Sequence, residues 1–97
     1  MKNLEDLQNI LKKNKGDLYK IYGVTEIGVF GSYTKNQQNK TSDIDILVEF
    51  YKSVDLFTFV NLKNYLAELL NINVDLVMKK ALKPKIGQRI LKEVIYI

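Results

Sequence analysis

The sequence predicts an α/β (α+β) fold, in which a small sheet is flanked by helices. Three short apolar runs, over residues 25–30, 43–50 and 73–78, have the length and composition of strands. Segments with the apolar spacing of amphipathic helices lie before, between and after them. A chain of 97 residues can bury one modest core, so we expect residues 1–97 to form a single domain.

The first predicted element is an amphipathic helix over residues 4–21, in which Gly16 could weaken or break the helix but Gly23 is the favoured end. Its apolar positions recur at helical spacing: Leu4, Leu7, Leu11, Leu18 and Ile21, with Ile10 beside them. We expect this helix to cover the core and to carry no site. A short buried strand, residues 25–30, follows and is bounded by Gly23 and Gly31.

After the second strand, Ser53 is a plausible N-cap for a helix that runs to Leu70 and ends at Asn71. The aromatic residues Phe57 and Phe59 are expected to lie in the core on the broad apolar face of this helix. The third strand follows. Pro84 then suits the first turn of a last helix, whose apolar stripe comprises Ile86, Ile90, Leu91, Val94 and Ile95.

Composition excludes several kinds of chemistry. The chain has no cysteine and no histidine, which removes disulfides, thiolate nucleophiles, Cys/His zinc sites and histidine acid–base catalysis. Any metal would be held by carboxylates, which favours magnesium or manganese.

No stretch has the length of a membrane span, so we expect a cytoplasmic protein without a membrane partner. The net charge of +4 is typical of a lysine-rich solvated surface, and we expect no direct nucleic-acid role.

The most informative stretch runs from Gly31 to Asp45. Gly31 and Ser32 follow a strand and precede a predicted short helix, so their backbone N–H groups suit a phosphate. Asp43 and Asp45 lie about 7 Å apart on one strand face, where they can share hard divalent cations. Taken singly, a Gly-Ser pair is usually a simple turn, and an Asp-x-Asp is often only solvated. The combination of Gly31-Ser32 with Asp43-x-Asp45 occurs by chance less often than either motif alone, so it favours a functional site.

A third carboxylate lies in the last predicted strand. Asp75 stands in the middle of a short apolar strand, where an aspartate is costly unless it is solvated, paired or bound to metal. A solvated aspartate at the sheet edge is the simpler interpretation. With Asp43 and Asp45 already present, we favour a site that the three carboxylates share.

The pattern Gly31-Ser32, ten residues, Asp43-x-Asp45 and a later strand Asp75 resembles the nucleotidyltransferase superfamily of the DNA polymerase β type. The short length and the carboxyl-terminal stretch are similar to the minimal nucleotidyltransferase (MNT) antitoxins, which accompany HEPN-domain ribonuclease toxins. The resemblance implies a nucleotidyltransferase fold with a small mixed sheet of three or four strands flanked by helices.

The resemblance also implies roles for individual residues. Gly31 and Ser32, with Lys35 nearby, would bind the nucleotide. Asp43 and Asp45 would ligate two Mg²⁺ ions, with Mn²⁺ as a possible substitute, and Asp75 would complete the metal site and help to deprotonate the attacking hydroxyl. The implied activity is the transfer of AMP from ATP to a tyrosine of the cognate HEPN toxin, with release of pyrophosphate, and a higher-order complex with the toxin is possible.

One departure from the family pattern leaves alternatives open. Many members have an Arg-Gly pair where this chain has Lys35-Asn36, and lysine lacks the bidentate fork that arginine offers to phosphate. The chain is therefore also compatible with an antitoxin that masks the toxin by binding alone. A third possibility is a nucleotidyltransferase that modifies a small hydroxylated molecule such as an aminoglycoside, although the chain lacks room for a substrate domain.

Overall fold

The computed structural model describes residues 3–35, 37 and 43–97. The four helices are α1 (Leu4–Lys13), α2 (Lys15–Asp17), α3 (Leu56–Leu70) and α4 (Pro84–Glu93), and the four strands are β1 (Val24–Phe30), β2 (Ile44–Phe50), β3 (Val74–Met78) and β4 (Ile95–Tyr96). A π-helical turn, Leu18–Tyr22, precedes β1, and 3₁₀ turns follow β1 at Gly31–Tyr33 and β3 at Lys79–Ala81.

The strands form one mixed sheet in the order β3-β2-β1-β4. The β1–β2 and β1–β4 pairs are antiparallel, and the β2–β3 pair is parallel because α3 carries the chain back across the sheet. The predicted class, a small mixed sheet of three or four strands with flanking helices, is confirmed.

One face of the sheet packs against the helices and forms the core. Alternate residues of β2 are buried there, together with leucines of α1 and α3. Leu47, which points to the other face of β2, is also buried, so that face is covered at this position. The core residues that are fully buried include Leu7, Leu11, Ile44, Ile46, Val48, Leu62, Leu66 and Leu70.

The segment predicted as one helix over residues 4–21 is divided. A capping box begins α1, since Asp6 N donates to Asn3 Oδ1 at 2.9 Å and Asn3 N donates to Asp6 Oδ2 at 3.4 Å. The helix ends at Lys13, where the Asn14 side chain donates to the Ile10 carbonyl at 2.8 Å. The wider π turn that follows changes the helical phase, which leaves Ile21 65% exposed instead of buried.

Two expectations for the α3 region are wrong. The N-cap is Asp55, which accepts a hydrogen bond from Thr58 N at 2.7 Å, and not Ser53. Phe57 is 80% exposed because the inward face of α3 passes through Leu62, Leu66 and Leu70, whereas Phe59 is half-buried. The predicted end at Asn71 is confirmed, since this residue adopts the left-handed conformation with φ 55°.

The carboxyl-terminal elements pack onto β1. The predicted helix start at Pro84 is confirmed, and after α4 the residues Ile95 and Tyr96 pair with Val29 and Gly28. Gly28 permits this approach because an added Cβ would lie 2.6 Å from Val94 Cγ2. Several residues of the predicted stripe, Ile86 among them, remain exposed.

None of the helices among the described residues is long and apolar enough to cross a bilayer. The polar composition of residues 36–42, which include Ser42, predicts a loop, but this stretch lies outside the described residues except for Gln37.

Candidate active site

Strand register brings the predicted site residues to one edge of the sheet. In the antiparallel β1–β2 pair, Phe30 lies opposite Asp45, so the Gly31 turn follows directly beside this aspartate. In the parallel β2–β3 pair, Asp45 lies opposite Asp75. Residues opposite one another on neighbouring strands share a face of the sheet. Asp45 and Asp75 therefore lie side by side, on the face away from the main core.

The contact between Asp45 and Asp75 changes the acidity of Asp45. Partial burial, the negative charge of Asp75 with a hydrogen bond between the two side chains, and the charge of Asp43 together raise the pKa of Asp45 to about 6. Asp75 is exposed and Asp45 is half-buried. Asp45 therefore retains its proton at mildly acidic pH, and as the pH rises through about 6 its charge develops directly beside Asp75.

Gly31 fits closely against this carboxylate. Its φ of +79° is in the left-handed region, and an added Cβ would overlap the Asp45 Oδ2 atom. Only glycine lets the backbone pass so near the carboxylate. The turn that glycine starts is consequently fixed in position relative to Asp45, which is what a backbone cradle beside a metal-bound phosphate requires.

Hydrogen bonds to two carbonyls hold the turn after Gly31. Thr34 Oγ1 and Thr34 N donate to the Gly31 carbonyl at 2.8 and 3.1 Å. Lys35 N and Gln37 N donate to the Ser32 carbonyl at 3.2 and 2.9 Å. Thr34 was not among the predicted site residues, although a threonine three residues after the glycine is a sequence signal for a side-chain-closed turn.

The structure places Lys35 against α4. Its Nζ lies 3.0 Å from Glu93 Oε1, and Arg89 Nε lies 3.8 Å from the same oxygen. The Lys35 side chain therefore joins the turn to the last helix. Sequence reasoning missed Glu93, because 58 positions separate it from Lys35 and no local pattern joins the two.

Asp43 lies one residue before β2 and is exposed. Its charge acts on two neighbours: it contributes to the raised pKa of Asp45, and with burial it raises the pKa of the Tyr33 hydroxyl. Tyr33 is 3% exposed and belongs to the turn that begins at Gly31. This tyrosine is a second residue near the site that sequence reasoning missed, since its burial depends on tertiary packing.

The carboxylates suit a divalent cation by their chemistry. Among the described residues, no three acidic side chains already stand at metal-binding distances from one another, since Asp45 and Asp75 are in contact while Asp43 acts through its charge. None of the ion pairs formed within the described part of the chain involves these three aspartates. Their oxygen atoms are preferred ligands of Mg²⁺ and Mn²⁺, and a cation would offset the negative charge collected there.

Comparison with known proteins places this geometry in a family. Residues 7–97 match the nucleotidyltransferase domain family. The chain is 45% identical to the protein adenylyltransferase MntA of Thermococcus cleftensis, over all of this chain and 98% of that protein.

Solved structures are similar over most of the chain. A minimal nucleotidyltransferase is 30% identical with a TM-score of 0.75, and the match covers 92% of this chain and 93% of that one. A chain of a toxin–antitoxin crystal structure with AMP-PNP is 27% identical with a TM-score of 0.70, covering 95% of this chain and 69% of that one.

A third similar structure is the tri-AMPylated HEPN toxin of Shewanella oneidensis in complex with its MNT antitoxin. The matching chain is 26% identical with a TM-score of 0.67, and the match covers 93% of this chain and 70% of that one. The sequence match and the shared fold agree. The chain is a nucleotidyltransferase and belongs to the nucleotidyltransferase domain family, among the minimal nucleotidyltransferases of the MNT antitoxin type.

Proposed function

We propose that the protein is the antitoxin of a HEPN/MNT toxin–antitoxin pair and that it silences the toxin by covalent modification. It transfers AMP from ATP to a tyrosine hydroxyl of the cognate HEPN ribonuclease and releases pyrophosphate. The proposal agrees with the name of the Thermococcus relative, a protein adenylyltransferase, and with the similar antitoxin found in complex with an AMPylated toxin.

One observation carries the proposal: the Asp45–Asp75 contact lies directly beside the Gly31 turn. Nucleotidyl transfer needs negative oxygen ligands for metal next to a cradle for the triphosphate, and it needs little covalent chemistry from the protein. The position of the Asp45–Asp75 contact beside the Gly31 turn supports the assignment of both features to this end of the sheet.

Each residue of the candidate site has its own role in AMP transfer. The backbone of Gly31 and Ser32 binds the triphosphate and orients its α-phosphorus, and Lys35 adds a positive charge. Asp43, Asp45 and Asp75 would hold Mg²⁺ or Mn²⁺, which when bound offsets charge on the phosphate oxygens. Asp75, the most exposed partner of the contact pair, accepts the proton of the attacking hydroxyl. The hydroxyl oxygen forms a bond to the α-phosphorus as the bond to the bridging oxygen of pyrophosphate breaks.

The test is AMP transfer to the cognate HEPN toxin, measured with labelled ATP and Mg²⁺ and by the mass of toxin peptides. Asp43→Asn, Asp45→Asn and Asp75→Asn should each reduce the rate by at least about 100-fold, because each removes a charge that holds metal or accepts the proton. A label on a toxin tyrosine is the expected product.

The matched control is Glu49→Gln, which removes a carboxylate from the same face of β2, four residues farther along the strand. Glu49 lies 3.9 Å from Lys79 Nζ and has no contact with Asp45 among the described interactions. This variant should retain a rate within about threefold of wild type, since the removed charge is roughly 13 Å along the strand. Equal rates in the three aspartate variants and wild type would exclude the mechanism.

A further inference from the structure

Positive charge is concentrated in one segment of the chain. Residues 79–93 hold six of the fifteen basic side chains and one of the eleven acidic ones. The rest of the chain therefore carries nine basic and ten acidic side chains and is close to neutral. The segment that contains α4 accounts for the net charge of the whole protein, so the charge has a location and is not spread over the surface.

Apolar side chains are exposed in the same segment. Ile86 is 57% exposed and Leu91 is 42% exposed, whereas Gly87 is buried and Ile90 and Val94 are half-buried. At 100° per residue, Ile86 and Leu91 lie on opposite flanks of the inward stripe, about 140° apart around the helix. α4 thus has two apolar flanks, one marked by Ile86 and the other by Leu91. The residues that neighbour each flank distinguish the two.

One flank adjoins the candidate active site. Ile86 and Glu93 are seven residues apart and lie on the same side of the helix, with Arg89 between them. Glu93 contacts Lys35, which belongs to the turn that starts at Gly31 beside Asp45. We call the surface of Ile86, Arg89, Glu93 and Lys35 the α4 flank. Because β4 pairs with the end of β1, the last turn of α4 lies at the same end of the sheet as the Gly31 turn, so an acceptor protein at the carboxylates adjoins this surface.

We propose that the α4 flank docks the protein that is modified, and that the docked surface has acidic side chains around an apolar residue. This inference rests on the proposed function, because it assigns the position of the acceptor protein. Charge complementarity supports an acidic partner, because the α4 flank carries two cations, Lys35 and the 77% exposed Arg89, against one carboxylate, Glu93, which lies close to both.

The exposed isoleucine favours a protein over a nucleic acid. Protein interfaces combine arginine with apolar side chains at their centre, and such residues contribute most of the binding free energy. Nucleic-acid surfaces bind chiefly through phosphate contacts with basic residues, for which an exposed aliphatic side chain has no use. The α4 flank combines one exposed apolar residue, Ile86, with the exposed Arg89 one turn along the helix, as expected for a protein contact.

The experiment measures binding of the cognate HEPN toxin to the full chain by calorimetry in EDTA, without nucleotide, so that catalysis plays no part. Ile86→Asp and Arg89→Glu should each weaken binding by about tenfold or more, because they introduce negative charge opposite an acidic surface. In transfer assays, the same variants should raise KM for the toxin and leave kcat at saturating toxin unchanged.

Two variants serve as matched controls. Leu91→Asp makes the same type of change on the opposite flank of α4, and Lys12→Glu makes the same change in charge as Arg89→Glu at an exposed position of α1. Both should alter binding by less than about threefold. Thermal melting and circular dichroism establish that each variant is folded. If Ile86→Asp does not fold, the binding of Arg89→Glu alone tests the docking surface.

The outcomes separate this inference from the proposed function. Unchanged binding in Ile86→Asp and Arg89→Glu, or equal weakening in the controls, overturns the docking surface while AMP transfer by wild type stands. Weakened binding without any AMP transfer by wild type supports the surface and refutes the enzyme. Absence of wild-type binding to the toxin, or binding of single-stranded RNA with the same dependence on Ile86 and Arg89, overturns the protein docking surface.

Discussion

At the residue scale, the contact between Asp45 and Asp75 is the central feature of the candidate site. Two carboxylates at the same register position of parallel strands repel each other when both are charged, and they attract when they share one proton. The pair is therefore unfavourable for the fold at neutral pH in the absence of a cation. A group that binds there gains from removing this repulsion.

This repulsion predicts a pH dependence of stability for the metal-free protein. Asp45 has a pKa of about 6 in the fold against an ordinary value of 3.8, so the fold holds a proton that the unfolded chain loses. Its contribution is fully present below about pH 4 and disappears as the pH rises through about 6. The full difference corresponds to about 3 kcal/mol. Solvent screening at the half-exposed Asp45 reduces this to the order of 1 kcal/mol.

The measurement is urea unfolding of wild type and Asp45→Asn in EDTA at about pH 4 and about pH 7. Wild type should lose stability relative to the variant as the pH rises, because an asparagine has no proton to lose. The same comparison at Glu49→Gln provides a control for general effects of charge. A difference between wild type and Asp45→Asn that stays constant with pH would contradict the assigned pKa.

Sequence reasoning proposed site positions that the fold brings to one end of the sheet, but it did not anticipate the contacts around them. Gly31, Ser32, Asp43, Asp45 and Asp75 follow from a spaced pattern of residue types, which a sequence displays directly. Tyr33 and Glu93 do not, since the first depends on burial and the second on a contact 58 positions distant. The metal and catalytic roles of the aspartates stay predictions.

At the scale of elements, α3 shows why helix boundaries are hard to infer. Both Ser53 and Asp55 are good N-cap residues, and the choice depends on which of them adopts extended backbone before the first turn. Asp55 does so, with ψ 173°, and it bonds Thr58 N. The exposure of Phe57 has a separate cause, since the inward face of α3 passes through Leu62, Leu66 and Leu70.

The cap can be tested by substitution. Asp55→Ala should lower the melting temperature, because the Thr58 N–H loses its acceptor at the start of α3. Ser53→Ala should leave the melting temperature unchanged and is the matched control, since both residues are exposed and precede the same helix. The hydrogen bond with Thr58 also lowers the pKa of Asp55, so the difference between wild type and Asp55→Ala should shrink in acid. An equal loss in both alanine variants would contradict Asp55 as the cap.

The prediction of one continuous first helix was wrong for a different reason. A regular apolar period over residues 4–21 predicts one continuous helix, but Asn14 closes the end of α1 with its side chain and the π turn shifts the phase. A search for apolar residues at the α-helical period assumes α-helix over the whole segment, so it cannot detect a change of phase at a π turn. Two-residue β4 is likewise too short for any sequence pattern, and it forms because β1 offers an open edge.

At the scale of the whole molecule, the fold places the site and the α4 flank next to one another. The parallel β2–β3 pair puts both strand starts at the same edge, which brings Asp45 and Asp75 together across 30 positions of sequence. The strand class and helix order could be predicted from apolar patterns. The strand order and the position of α4 could not, because these depend on long-range packing.

The proposed function predicts how a cognate HEPN toxin would be silenced. With the toxin and ATP present, wild type and Glu49→Gln should abolish RNA cleavage, whereas Asp45→Asn should bind the toxin yet leave most of its ribonuclease activity. The variant keeps the α4 flank but lacks a carboxylate of the site. The measurement is cleavage of a labelled RNA after preincubation with each protein. Complete silencing by Asp45→Asn would instead show that the protein masks the toxin by binding alone.

The register of β2 and β3 also has a consequence for laboratory evolution. Because Asp45 and Asp75 oppose one another in the fold, neutral replacements at either position relieve repulsion and favour the native state. A library selected only for survival on heating, with no demand for activity, should therefore accumulate substitutions at these two positions early. Heat-resistant variants obtained in that way would be more stable than wild type but would lack the carboxylate pair of the candidate site.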